Sequence, residues 1–237
     1  MIDPASVPVG RVLWPGARRI IRSSFPPIDL FEDIAPPEDW PILIAAEQKT
    51  NPRLVASLGA LDLVPPTRRV SGRGASFLMA PFTHANVDRP SRFSDGTYGV
   101  LYAANHFQTA LLETMYHHGQ FMTRTREAAG WTSQFRELVL TVEASLHDLR
   151  GDDVRWAPAL DRDHYAESQQ LGRLLRAAAS EGLVYPSQRD AAGQCVGLFF
   201  PDLARNVRQA RHLDYHWDGT RVDLYRDTGS RQVFRVQ

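Results

Sequence analysis

The chain has 237 residues, its 27 basic and 27 acidic residues cancel, and 43% of its residues are hydrophobic. This length can bury a sizeable core, and the neutral balance argues against a protein that gathers nucleic acid or anionic membrane through its overall charge. A single cysteine, Cys195, excludes an internal disulfide and a zinc site made of cysteines, and since neither a signal segment nor an apolar run of about 18 residues occurs, we expect a cytoplasmic protein.

The beginning of the chain is rich in proline. Residues 1–17 carry three prolines and predict an N-terminal arm that is either mobile or docked. Residues 18–25 predict a first strand, which a pair of prolines ends. Residues 40–48 predict a helix, and Asn51 followed by Pro52 predicts the start of another.

The middle of the chain alternates loops with short elements. Residues 61–74 and 83–96 are rich in proline, glycine and polar residues, which predicts loops. Loops of this length inside compact domains are usually functional or disordered. Residues 75–82 and 98–104 are apolar and predict strands.

A helix is predicted from His106 to His118, with Asn105 as its N-cap. Its apolar face recurs at helical spacing and consists of Phe107, Ala110, Leu111 and Met115. Glu113 lies on the opposite side, together with Thr109, Tyr116 and His117. Periodicity leaves two interpretations of Glu113 open: a solvated surface residue, or a member of a polar face that lines a cleft beneath the preceding strand.

The C-terminal half is dominated by predicted strands. Residues 135–146 alternate as a strand, and residues 165–181 predict a helix that ends at Gly182. The apolar face of that helix is expected to hold Leu171, Leu174, Leu175 and Ala178. Three further strands are predicted at 195–200, 207–217 and 220–227, the last two joined as a hairpin at Asp218 and Gly219. Few helices and many short strands, with no evident linker, predict a single α+β domain.

Several side chains indicate chemistry only weakly when each is taken alone. Arg92 lies in a loop without a phosphate-binding glycine pattern, and Ser187 lacks the GxSxG elbow of serine hydrolases. His212, Asp214 and His216 share one face of a predicted strand, which leaves open a metal site, although a solvated face is the simpler interpretation.

A second loop suggests a different class of function. Residues Arg68, Arg69 and Arg73 lie close together in sequence, and guanidinium groups suit the recognition of phosphate. A non-catalytic module that binds a phosphorylated ligand or a nucleotide is therefore an alternative.

Five segments occur in the order typical of RES-domain proteins, a family named for its arginine, glutamate and serine, and the chain resembles that family from about residue 18 to residue 227. The segments are RIIRSSFPPIDLFED, GRGASFLMAPFTH, SRFSDGTYGVLYAA, the helix with Glu113, and EGLVYPSQRD. The resemblance implies an N-terminal arm (1–17) followed by one RES domain (18–237). It also implies an ADP-ribosyltransferase-like fold of the diphtheria-toxin kind, with split antiparallel sheets and flanking helices.

The resemblance assigns roles to five residues. It makes Glu113, Arg92 and Tyr102 catalytic, and it makes Arg19, Arg92, Tyr102 and Ser187 the residues that bind NAD+, without a metal. Arg18 and Arg22 are close neighbours of Arg19, so the choice among the three arginines stays open.

Arginines suit the pyrophosphate of NAD+, a carboxylate suits the positive charge that develops on ribose, and an aromatic ring suits nicotinamide. Ser187 is expected to hydrogen-bond ribose or nicotinamide.

By this resemblance the protein is expected to be the toxin of a bacterial toxin–antitoxin pair. It would cleave the nicotinamide–ribose bond of NAD+ and transfer ADP-ribose to a protein or to inorganic phosphate. The chain is longer than compact members between residues 28 and 75, which favours a protein acceptor slightly. The expected partners are an antitoxin that covers the active site, a target protein, and a second toxin as a homodimer within the complex, but neither nucleic acid nor membrane.

Overall fold

The structure is a computed structural model that describes residues 2–24, 39–40, 42, 59–151 and 154–236. The helices predicted at 40–48 and from Asn51 lie outside the described residues, apart from Trp40 and Ile42.

The described part of the chain forms eight strands and three α-helices, joined by loops and short 3-10 turns. The strands are β1 (Val9–Arg22), β2 (Leu101–Ala104), β3 (Thr132–Asp148), β4 (Gly182–Pro186), β5 (Gln194–Leu198), β6 (Ala204–Trp217), β7 (Val222–Asp227) and β8 (Val233–Arg235). The helices are α1 (Ala75–Thr83), α2 (Phe107–Met122) and α3 (Ala166–Ala177). This composition confirms the predicted α+β class. None of the helices in these ranges is both long and apolar enough to cross a membrane.

The long strand β3 organises the sheet. One edge of β3 pairs antiparallel with β1, and the other pairs antiparallel with β6 and, near Asp148, parallel with β4. Because β1 also meets β2, and β2 meets β5, which meets β4, five of the strands close into a ring. The strands β6, β7 and β8 extend from this ring as an antiparallel sheet.

Two apolar cores lie against the strands. One core joins residues of α2 and α3 to the sheet, among them Leu111, Met115 and Leu171. The other lies under α1 and includes Leu78 and Met79. Helix α2 is therefore fixed by its apolar face, which leaves its opposite face available to line a site.

The segment 75–82, predicted as a strand, is helix α1. Its buried residues recur at helical spacing: Ala75, Leu78, Met79, Phe82 and Thr83. A short apolar run fits a buried strand and a buried helix equally well, so its composition did not distinguish them. The close approach of Gly99 to the backbone of Pro81 and Phe82 leaves no space for a side chain at residue 99, and this lets α1 lie directly on the chain leading into β2.

Strand β1 begins at Val9 rather than at residue 18, so the second half of the predicted arm is paired strand. Val9 pairs with His147, and the ladder shifts register between Trp14 and Ala17. Pro15 lies in this irregular stretch and has no N–H to donate. A bulge thus accommodates the proline that suggested irregular structure.

The predicted helix α2 is confirmed, but Asn105 is not its N-cap. His106 occupies the N-cap position without a side-chain hydrogen bond. The side-chain oxygen of Asn105 instead accepts from the backbone N–H of Gln194 at 2.9 Å. Asn105 therefore ties the end of β2 to β5.

Helix α3 ends earlier than predicted. It stops at Ala177, and Ala179 adopts a left-handed φ of 57°. Leu171 and Leu175 are buried as expected, whereas Leu174 and Ala178 are exposed. Gly182 begins β4, where a Cβ would lie 2.1 Å from the carbonyl oxygen of Gly197.

The hairpin between β6 and β7 is confirmed. The side chains of β6 lie on two faces of the strand. Leu213, Tyr215 and Trp217 are buried in the core. On the other face, Asp214 is buried and accepts from the Nε of Arg226 at 2.9 Å, so it is not a free metal ligand. Within the described ranges no group of three His, Cys, Asp or Glu residues could hold a metal ion.

His118 is a titratable residue inside the core. Its side chain is 6% exposed, its ring lies 4.9 Å from that of Phe135, and its Nε2 has no hydrogen-bond partner. Burial, with a smaller contribution from the charge of Arg22, lowers the pKa of His118 to about 4. The folded protein therefore holds this imidazole neutral at neutral pH.

The free energy of unfolding should fall as the pH drops from 6.5, the ordinary histidine pKa, towards about 4. In that range the unfolded chain binds a proton at His118 that the folded chain does not bind, so acid favours unfolding. Urea unfolding between about pH 7.5 and about pH 4.5 measures this slope. His118→Phe should flatten it, and His164→Phe, at a side chain that is 89% exposed, should not. An unchanged slope in His118→Phe would contradict the assignment.

Candidate active site

A cavity of about 750 Å³ lies between α2, β1, β2 and the loop that precedes β2. Five arginines line it: Arg18, Arg19, Arg89, Arg92 and Arg124. Three carboxylates also line it: Asp88, Glu113 and Asp163. The chain as a whole is neutral, so the cavity concentrates positive charge and suits an anionic ligand.

Helix α2 contributes one long face to this cavity. The lining residues of α2 include Ala110, Glu113, His117 and Gln120, which are spaced by three or four positions. Glu113 therefore faces the cavity, with 20% of its side chain exposed. Of the two interpretations that the sequence left open, the cleft-facing one is the observed one.

The carboxylate of Glu113 has two different oxygens. Its Oε1 accepts from the hydroxyl of Ser187 at 2.6 Å and from the backbone N–H of Gln188 at 3.1 Å. Its Oε2 lies 3.8 Å from Nε2 of His117, beyond hydrogen-bond distance. One oxygen is thus held by the β4–β5 loop, and the other remains available to a ligand.

Ser187 holds Glu113 and does not line the cavity. Besides donating to Glu113, its hydroxyl accepts from the backbone N–H groups of Arg189 and Asp190, each at 3.1 Å. A serine hydroxyl has one proton and two lone pairs, so its capacity is used, and the residue is 7% exposed. In this structure Ser187 positions Glu113, and its expected contact with ribose or nicotinamide stays a prediction.

A second contact fixes the same loop to α2. Thr109 donates its hydroxyl to Asp190 at 2.7 Å. Gly193 passes so close that a Cβ there would lie 2.4 Å from the side chain of Thr109. Glycine is therefore required for the loop to reach the helix.

Tyr102 joins the cavity wall to the loop that carries Arg92. Its phenol oxygen lies 2.9 Å from the hydroxyl of Ser91 and accepts from the backbone N–H of Phe93 at 2.9 Å. Burial raises the pKa of Tyr102 to about 12, so the phenol stays neutral. The ring thus contributes an uncharged aromatic surface to the cavity.

Arg19 is the arginine of β1 that faces the cavity without a carboxylate partner among the described residues. Its Nη1 donates to the carbonyl oxygen of Tyr102 at 2.8 Å, and its buried Nε has no hydrogen-bond partner in the described ranges. Burial lowers the pKa of Arg19 to about 10, which leaves it charged at neutral pH. Arg18 is paired with Glu137 at 3.0 Å, and Arg22 lies over the ring of Phe121 outside the cavity lining.

Arg92 is held by neutral groups. Its Nη1 donates to the carbonyl oxygen of Asp161 at 2.6 Å, and its guanidinium carbon lies 4.5 Å from the ring centre of Tyr165. No carboxylate neutralises it within the described part of the chain. A fixed, unneutralised cation is therefore present at the cavity, beside that of Arg19.

Two residues near this face of α2, Arg189 and Asp163, had no signal in the sequence. Arg189 lies 3.4 Å from the ring centre of Tyr116, whose hydroxyl donates to Asp163 at 2.7 Å. Tyr116 and His117 were expected on the same helix face as Glu113 and do line the cavity with it, but the sequence assigned neither of them a chemical role.

Two of the three arginines proposed as an alternative phosphate site make contacts within the fold. Arg69 donates to the carbonyl oxygens of Val64 and Leu61, at 3.0 and 3.2 Å. Arg68 pairs with Asp202 at 3.0 Å. Phosphate binding by this loop, which also holds Arg73, stays a prediction.

Ser187→Ala should destabilise the protein by about 1–3 kcal/mol, because two buried backbone N–H groups lose their acceptor. Amide hydrogen exchange in residues 187–193 should accelerate, and urea unfolding should report the lost stability. Ser230→Ala, at an exposed turn, is the matched control. Unchanged exchange in the loop would show that Ser187 does not fix it.

Comparisons with known proteins place the chain among relatives. The family model described as RES domain matches residues 66–218, more than half of the chain. That range includes Arg92, Tyr102, Glu113 and Ser187 but not Arg19.

A curated relative and a solved structure are also similar. The relative, "Uncharacterized protein y4oC" from Sinorhizobium fredii (strain NBRC 101917 / NGR234), is 30% identical over 206 residues, which cover 87% of this chain and 84% of that protein. The structure is that of the M. tuberculosis MbcT–MbcA toxin–antitoxin complex, with 15% identity and a TM-score of 0.39, covering 53% of this chain and 72% of that one.

Proposed function

This chain belongs to the RES-domain family, and we propose that it cleaves the nicotinamide–ribose bond of NAD+ and transfers ADP-ribose to an acceptor. The observation that carries the proposal is the anchored carboxylate of Glu113, which faces a cavity whose arginines at 19 and 92 have no carboxylate partner among the described residues. NAD+ has the matching features: an anionic pyrophosphate and a ribosyl bond that breaks with development of positive charge.

Arg19 and Arg92 are the proposed pyrophosphate ligands. Both line the cavity, and neither has a carboxylate partner among the described residues. Charge-assisted, bidentate contacts with phosphate oxygens are the contacts that guanidinium groups make best. The unpaired Nε of Arg19 gives that residue a further donor for the ligand.

Glu113 is the proposed stabiliser of the transition state. As nicotinamide leaves with the bonding electron pair, the ribose becomes oxocarbenium-like, as in glycoside hydrolysis. The free Oε2 of Glu113 would then lie beside the developing positive charge, and it would cost no reorganisation because Oε1 is already anchored. The neutral ring of Tyr102 offers a surface on which nicotinamide stacks.

The wider features of the family enter the proposal as well. We take the closed ring of strands with flanking helices as an ADP-ribosyltransferase-like fold, and NAD+ as the substrate of a reaction that needs no metal. We take the protein as a cytoplasmic toxin whose antitoxin covers this cavity. The acceptor we propose is a protein side chain in preference to inorganic phosphate.

Glu113→Gln should lower nicotinamide release from NAD+ by about 100-fold or more, on the scale of a lost electrostatic contact in a transition state. The glutamine keeps an oxygen for Ser187 and Gln188, so the loop should stay in place while the negative charge is lost. Chromatography of nicotinamide, with water alone, with phosphate and with cell lysate, measures the effect.

Glu127→Gln, at an exposed residue after α2, is the matched control and should release nicotinamide at the wild-type rate. Wild-type release from Glu113→Gln would remove the carboxylate from the mechanism. Absence of release by the wild-type protein under every condition would favour a non-catalytic nucleotide-binding module.

Expression of the chain in bacteria should stop growth and deplete cellular NAD+, whereas expression of Glu113→Gln to the same level should not. The toxic effect follows from the chemistry, so it should need the same carboxylate. Growth curves and NAD+ measurements on the two strains test this. Equal arrest by both proteins would separate toxicity from NAD+ cleavage.

A further inference from the structure

We propose that His117 is the base that takes the proton from the acceptor, and that the acceptor is therefore a hydroxyl group in place of an anion. The inference rests on the proposed function and extends it, because it concerns the second half of the same transfer. It comes from the position of His117 in the cavity beside Glu113.

The geometry allows one acceptor atom to meet both residues. Nε2 of His117 and Oε2 of Glu113 are 3.8 Å apart, so an acceptor hydroxyl that donates its proton to Nε2 at about 2.8 Å would also lie beside the carboxylate of Glu113. The spacing of four residues on α2 fixes this pair on one helix face. An oxygen there would be next to the ribose carbon that Glu113 stabilises.

The surroundings of His117 favour its neutral imidazole, the form that a base must have. Burial is the largest influence and lowers the pKa of His117, and the charges of Arg189 and Arg92 lower it further. Glu113 opposes them and raises it.

The other polar groups in this region are already engaged with one another. The hydroxyl of Tyr116 donates to Asp163, and the guanidinium of Arg189 lies over the Tyr116 ring and donates to the carbonyl oxygen of Arg162 at 2.6 Å. His117 is therefore the cavity-lining group near Glu113 that we assign as the base.

In the proposed transfer one bond to C1′ of ribose breaks, one bond to it forms, and one proton moves. The bond between C1′ of ribose and the nicotinamide nitrogen breaks, and its electron pair leaves with neutral nicotinamide. A lone pair of the acceptor oxygen forms the new bond to C1′, and the acceptor proton moves to Nε2 of His117. The resulting imidazolium lies beside the Glu113 carboxylate, and since 53% of its side chain is exposed, it can pass the proton to solvent.

The class of acceptor follows from this step. A serine or threonine hydroxyl, or water, must lose a proton when it attacks, and so needs a base. The phosphate dianion brings its own negative charge and needs none. A base at this position therefore favours hydroxyl acceptors, which extends the proposal of a protein acceptor to its reacting group.

The test measures nicotinamide release from NAD+ with water as the acceptor, with and without inorganic phosphate, as a function of pH. His117→Ala and His117→Gln should lower the water-dependent rate by about 100-fold or more, the usual range for loss of a general base. The wild-type rate should fall at a pH below the ordinary histidine pKa, because protonation removes the base, and both variants should lack that fall. The ratio of phosphate-dependent to water-dependent release should rise in the variants.

His212→Ala, on the exposed face of β6 away from the cavity, is the matched control and should keep both the rate and the pH profile. If both His117 variants keep the wild-type rate and profile while Glu113→Gln has lost activity, this inference is wrong and the proposed function stands. If the wild-type protein releases no nicotinamide, both are wrong. Melting curves of each variant separate lost chemistry from lost folding.

Discussion

The hydrogen bond between Ser187 and Glu113 joins the two halves of the site. It connects the loop between β4 and β5 to the middle of α2, and it fixes which oxygen of the carboxylate faces the cavity. The loop can reach the helix only because Gly193 lies flush against Thr109. Without this hydrogen bond Glu113 would be a long, mobile side chain on a helix surface, and its carboxylate would have no fixed orientation towards the cavity.

The cavity combines cations that have no carboxylate partner in the described part of the chain. A carbonyl oxygen holds Arg19, a carbonyl oxygen and the ring of Tyr165 hold Arg92, and Arg18, in the same strand as Arg19, is paired with a carboxylate. A carbonyl oxygen orients a guanidinium but leaves its full charge for a ligand. This difference in partners distinguishes arginines that keep their charge for a ligand from structural ones, in a chain whose basic residues are all arginine except Lys49.

Sequence patterns were sufficient where one period dominated. The strands β3 and β6, the turn at Asp218 and Gly219, and the apolar face of α2 were all predicted. Sequence patterns failed where tertiary contacts decide the local structure. Helix α1 is a short apolar run without a distinctive period, and β1 continues through a proline because a bulge in its pairing with β3 accommodates it.

The residues of the site could likewise be predicted from the sequence only in part. The residue types at 19, 92, 102 and 113 were identified through a family resemblance, and all four line the cavity. The orientation of Glu113 could not be derived from periodicity. A helix whose polar face lines a cavity has the same sequence pattern as a helix whose polar face meets solvent. The partner of Ser187 could not be derived either, since a hydroxyl after a strand has many local partners.

The pairing of β1 with β3 also has a consequence for the order of events during synthesis. Val9 pairs with His147 and Arg22 with Phe135, so the strand that carries Arg19 lacks most of its pairing until β3 has left the ribosome, since β2 offers it only the pair of Arg18 with Ala104. The loop that aims Glu113 emerges later still, after β4. Such non-local pairings form slowly, and a growing chain therefore exposes separate arginines and a loose glutamate long before they share a cavity. The topology delays the assembled site until most of the chain has been made.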